Sequence, residues 1–189
     1  MIKYFLYIAV LSFIMISCAK NKNYQTTIDS DIKAIKSIDD KKSYLSKIYE
    51  DGQGIDTKIK ELEKSFFKNR KEITILRKKK DSLIFINRYR IKSYLNKFKY
   101  PKETDFDDNE KLAIFYGVYS DIEKKEQLKY LDLFKELYQD SVIPKYNYLS
   151  YLTKIYYLEH ATFFPLNKRH SINEMIKDIS PEIEKLKDN

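Results

Sequence analysis

The residues able to do chemistry are few. Cys18 is the only cysteine, and His160 and His170 are the only histidines. Metal sites need several ligands converging on one point. His160 has Glu159 beside it, but adjacent helical positions point in different directions. Both histidines therefore read as surface or helix-end residues, and no metal is expected. Glu50, Asp51 and Asp56 stand around Gln53. Acids converging on an amide are what a hydrolytic acid/base site would need. Gln53, Asp51 and Asp56 are accordingly the candidate ligand-binding residues, and no catalytic residue is assigned.

A second acidic run, Asp105-Phe106-Asp107-Asp108-Asn109, opens like a calcium loop. The pattern then requires Gly at its sixth position and Glu at its twelfth, where this chain has Glu110 and Tyr116. Capping of the following helix by Asp107 or Asp108 is the better reading. There is no GxSxG, HExxH, P-loop or dinucleotide fingerprint, and no cofactor is expected.

The surroundings of Cys18 say most. Lys3 precedes an apolar run over 4–16 interrupted only by Ser12, and Ser17 leads into the cysteine. Charge, apolar run and small residue follow the order of a secretory signal. The run is shorter than the roughly 20 residues that span a bilayer. Met15-Ile16-Ser17-Cys18 resembles the lipobox of bacterial lipoproteins. That resemblance implies a signal peptide over 1–17, a thiol carrying diacylglycerol, an acylated (palmitate-type) new amine, and anchorage in the outer or cytoplasmic membrane of the cell envelope. A plain secretory signal is the rival reading. Residues 18–27 are polar and lack periodicity, and so read as a flexible tether. With Cys18 acylated, no disulfide, thiolate metal site or cysteine nucleophile remains.

The chain has 189 residues, 43% hydrophobic and 34% charged, with only 3 Gly and 4 Pro. This is globular composition, long enough for one helical domain over 28–189. The scarcity of turn residues disfavours an all-β sandwich or barrel. The formal charge is +8. Abundant Lys, Ile, Asn and Tyr suggest a lysine excess that is partly compositional, and an envelope address removes most nucleic-acid partners. The basic stretch Lys68, Arg70, Lys71, Arg77, Lys78, Lys79, Lys80, Arg88, Arg90, Lys92 fits either a solvated helix side or a face resting on anionic lipid.

Hydrophobic periodicity predicts an all-α fold, an irregular antiparallel bundle around one long central helix. A first helix is expected over 28–49, stopped by Asp51-Gly52-Gln53-Gly54. Residues 55–98 lack Gly and Pro and are expected to form one long helix, or two collinear ones broken near Lys80-Asp81-Ser82. Tyr100-Pro101 ends it. Further helices follow the Asp107 cap, where Gly117 suits close approach of a neighbour, then over 127–138, and after Pro144. A short helix over 170–179 is expected to precede another starting at Pro181.

The body also resembles an uncharacterised all-helical domain family of bacterial secreted proteins. Ile48-Tyr49-Glu50-Asp51-Gly52-Gln53 is similar to its early motif, with Gly52 in place of an acid and Asp56 in place of an arginine. Residues 81–87 are loosely similar to its second motif. Lys99-Tyr100-Pro101 matches the third except at glycine. Tyr119 stands where a histidine is expected, and Thr153-Lys154 replaces an acid-base pair. The resemblance implies a helical fold and no particular activity. Together these readings point to a lipid-anchored binding or interaction domain holding a protein, peptide or glycan. The alternatives are a degenerate or cryptic hydrolase-like enzyme, or an immunity or inhibitor protein. An exposed aromatic patch from Tyr146, Tyr148, Tyr151, Tyr156 and Tyr157 would mark the binding module.

Overall fold

Capping chemistry sets where the helices begin. In the computed structural model, which describes residues 24–65, 69–101 and 106–187, Ser37 accepts from the Asp40 amide and the Asp40 carboxylate accepts from the amides of Lys36 and Ser37. These bonds hold the Asp40 carboxyl below its ordinary range. The same reciprocal box recurs at Asp107 with Glu110 and at Ser171 with Glu174. Asn69 accepts from the Glu72 amide. Cys18 and its leader lie outside the described residues.

The helices are α1 (24–34), α2 (Ile38–Lys64), α3 (Arg70–Phe98), α4 (Asp108–Tyr119), α5 (Lys124–Leu128), α6 (Leu131–Gln139), α7 (Lys145–His160) and α8 (Ile172–Lys185). No strand occurs among the described residues, so the fold is all-α. Residues 24–27, expected in the tether, are already helical.

Three expected boundaries are corrected. The first helix does not run over 28–49: it breaks at 35–37, and α2 continues through Gly52 and Gly54. A helical glycine costs about 1 kcal/mol, whereas each large aliphatic that α2 buries, among them Leu45, Ile48 and Ile59, contributes roughly 1.5–3 kcal/mol. Secondly, there is no single helix over 55–98. The chain leaves α2 at Ser65, restarts at Asn69 and doubles back. Asp51 meets Arg90, Asp56 meets Lys80 and Glu63 meets Arg77, the reversed register of an antiparallel hairpin. Thirdly, α8 runs through Pro181, because Ile179 and Ile183 are both fully buried on either side of it.

The expected helix over 127–138 is divided. The Gln127 carbonyl takes the Tyr151 hydroxyl at 2.5 Å and the Tyr130 amide at 3.0 Å, so the chain turns there and restarts as α6.

Helices α2, α3 and α4 pack on one another, and α7 is covered by α8 and flanked by α5 and α6. The core joins both groups. Phe115 of α4 meets Phe134 of α6 and Tyr151 of α7 edge-on at 5.1 and 5.9 Å. Ile28, Ile32 and Ile35 seal it from the α1 side. Gly117 lets α4 lie directly on Ile91 of α3: a Cβ there would fall 2.5 Å from Ile91 Cγ1.

Candidate functional site

The sequence-assigned residues Glu50, Asp51, Gln53 and Asp56 all sit on the middle of α2. Glu50 and Asp51 are exposed; Gln53 and Asp56 are half-buried. Lys80 Nζ lies 2.5 Å from Asp56 Oδ1, and Arg90 Nη1 lies 3.8 Å from Asp51 Oδ2. Across from this stretch, Asn147 Nδ2 donates to the Tyr116 hydroxyl at 2.8 Å. Burial raises the Tyr116 pKa first, and Tyr49 and Asp56 raise it further. Asp51 and Asp56 thus each face a cation of α3 and help tie the hairpin together.

A concavity lies elsewhere, between α3 and the α4–α5 corner. Arg88, Lys92, Asn96, Asp121, Glu126 and Tyr130 line some 310 Å³ of space open to solvent. Its floor is the contact of Ile91 with Gly117. Behind its rim is a buried polar node that the sequence reading missed. Gln127, 0% exposed, donates through Nε2 to the carbonyls of Asp121 at 2.6 Å and Tyr119 at 3.4 Å. Lys154 Nζ donates to the same Tyr119 carbonyl and sits 4.9 Å from the Tyr119 ring centroid. Burial lowers the Lys154 pKa; Asp121 opposes that shift and Arg88 adds to it. The node satisfies carbonyls at the α4 C-terminus, where a cation is also favoured by the helix dipole. A lone Gln and a lone Lys in sequence carry no sign of this pairing.

The tyrosine-rich helix α7 divides as amphipathic packing demands. Tyr148 and Tyr151 are buried. Tyr146 is 66% exposed and Tyr157 44% exposed. Tyr157 stacks at 5.0 Å on Phe163, itself 76% exposed. Tyr156 packs edge-on against Phe164 at 5.1 Å. Open aromatic side chains thus stand at both ends of α7, Tyr146 alone at its start and Tyr157 stacked with Phe163 at its C-terminal end.

The histidines are separate. The His160 ring lies 4.3 Å from that of Tyr156. His170 Nδ1 lies 2.7 Å from Asp178 Oδ2, between the loop and α8. Among the described residues no three His, Cys, Asp or Glu side chains group as metal ligands, and no helix is long and apolar enough to cross a membrane.

No family model, curated protein or solved structure matches this chain.

Proposed function

We propose that this is a lipoprotein of the bacterial cell envelope, acylated at Cys18, whose helical body is a binding module for a protein, peptide or glycan partner. The address rests on Met15-Ile16-Ser17-Cys18 behind its apolar leader. The binding role rests on one structural observation, the stacked and solvent-facing pair Tyr157–Phe163. Large rings left in water on a helical body are a cost that burial by a partner relieves. Such rings are also the side chains that most often anchor interfaces.

The anchor is tested by mass spectrometry of the mature N-terminal peptide. A diacylglyceryl thioether on Cys18 is expected, and a free thiol or an uncut leader would refute it. The binding role is tested by titrating envelope glycan fragments and peptides into the protein while following the ring resonances of Tyr157 and Phe163. Shifts confined to this end of α7, and lost in Phe163→Ala, are expected. Shifts centred on Gln53 would move the site to α2.

A further inference from the structure

Ten of the 36 lysines and arginines lie on α3, with only two of the 28 carboxylates, Glu72 and Asp81. The remaining 26 of each sign cancel, so the whole +8 of the chain resides on one helix. A compositional lysine excess would be spread along the chain; this one is localised.

The helix has two electrostatic sides. Toward α2, Arg77, Lys80 and Arg90 are matched by Glu63, Asp56 and Asp51. Away from these pairs, Lys71 and Lys78 are exposed, Lys92 and Arg88 are half-exposed at the rim of the concavity they share with Asp121 and Glu126, and Lys79 is exposed on the face opposite Arg88. None of these five meets a carboxylate within ion-pair distance among the described residues. At 100° per residue, Lys71, Lys78, Phe85 and Lys92 recur every seven positions along one stripe. Apolar side chains stand among the cations: Ile75 is 58% exposed and Phe85 51% exposed. The Arg88 guanidinium lies 5.2 Å from the Phe85 ring centroid. A helix face that is merely solvated places acids at the (i, i+4) positions to pair its cations, and here Asp81 stands alone. Cationic heads surrounding protruding apolar groups are the make-up of a surface that lies on lipid headgroups.

We propose that this outward face of α3 docks on the anionic headgroups of a phospholipid bilayer. The proposal builds on the lipid-anchored reading above and adds which side of the body faces the membrane. Chain connectivity agrees with it. Lys97 Nζ, near the end of α3, donates to the Ile32 carbonyl of α1 at 2.7 Å. Cys18 precedes Tyr24 of α1 by six positions, at most about 20 Å of extended chain. The anchor therefore keeps α1, and the end of α3 that it touches, within reach of the bilayer, where each cation contributes to adsorption.

The test uses the full chain carrying Cys18→Ser, so that no acyl chain contributes. Co-sedimentation is measured with vesicles of phosphatidylcholine alone and of phosphatidylcholine with phosphatidylglycerol in equal parts. Preference for the anionic vesicles, lost in high salt, is expected. Lys71→Gln, Lys78→Gln, Arg88→Gln and Lys92→Gln together should lower partition about fivefold per side chain neutralised. A second variant, Lys58→Gln, Lys60→Gln, Lys168→Gln and Arg169→Gln, loses the same charge elsewhere and should retain the binding. Equal loss in both variants, or no preference for anionic vesicles, would overturn the proposal. So would tight retention on a DNA duplex without vesicle partition. The two proposals fail separately. A free thiol on Cys18 in the unsubstituted protein removes the anchor alone. An acylated Cys18 with no anionic preference in the vesicle assay removes the α3 surface alone.

Discussion

Gly117 of α4 and Ile91 of α3 are in contact so close that no side chain fits between them: the nearest Ile91 carbon lies 2.5 Å from where a Cβ would stand. Gly117→Ala must push the two helices apart or force Ile91 off its rotamer. A loss of about 1–3 kcal/mol is expected, read as a lower denaturant midpoint. Combined with Ile91→Gly, which also removes the Cβ that would stand 2.6 Å away, the alanine at 117 should cost less than it does alone, a coupling that a double-mutant cycle measures. Additive losses would refute the contact.

Gly52 and Gly54 make the opposite case. Both lie inside α2, and a Cβ on either meets nothing within 4 Å. Gly52→Ala and Gly54→Ala should each raise stability by about 0.5–1 kcal/mol, because alanine loses less backbone entropy in a helix. A fall in thermal midpoint for either would mean that α2 does not run unbroken through this stretch.

Glu110 and Asp56 separate buried from exposed polar pairing. Glu110 is 2% exposed, accepts the Asp107 amide at 2.9 Å and accepts the Ser46 hydroxyl at 3.0 Å. Glu110→Ala should cost about 1–3 kcal/mol, since it strands a cap donor and a hydroxyl. Asp56→Ala breaks a partly solvated ion pair and should cost under about 1 kcal/mol. Equal costs in urea melts would contradict this ranking.

The tyrosines set the alkaline limit. Burial raises the hydroxyls of Tyr44, Tyr100, Tyr148 and Tyr151 far above the ordinary tyrosine range. A folded pKa raised above the unfolded one contributes stability that is whole below the unfolded value and drains as pH rises past it. Stability should therefore fall steeply above about pH 10. The buried set Tyr44, Tyr100, Tyr148 and Tyr151 is expected to ionise late, together with loss of helical circular dichroism. Ionisation of all 17 tyrosines with the helices intact would contradict the packing.

Some of what decides the fold was legible early. The Asp107 cap, the glycine suited to close approach and the buried stripe Leu131, Phe134 and Leu137 follow from local chemistry and helical period. Two break signals were equally present and were outweighed: Ser37 three positions before Asp40, and Asn69 three before Glu72. Both are N-cap patterns set inside segments whose apolar periodicity runs on past them. Lys99 shows another limit. It closes α3 at φ 63°, ψ −173°, backbone ordinarily left to glycine.

The candidate site was less legible. Asp51 and Asp56 stand beside Gln53 in sequence, and their partners Arg90 and Lys80 on α3 come to light only once the chain doubles back. Gln127 and Lys154, which nothing in the sequence pairs, meet at the Tyr119 carbonyl in space.

The sequence by itself determined helix, amphipathic face and cap, because those depend on neighbours within a few residues. Where the long segment folds back, which tyrosines are dry and which lysines are left without an acid were decided by the tertiary structure alone. Each turns on contacts between residues far apart in the chain. There the burial of several aliphatic side chains outweighs the roughly 1 kcal/mol that a helical glycine costs, or the roughly 3 kcal/mol of a proline.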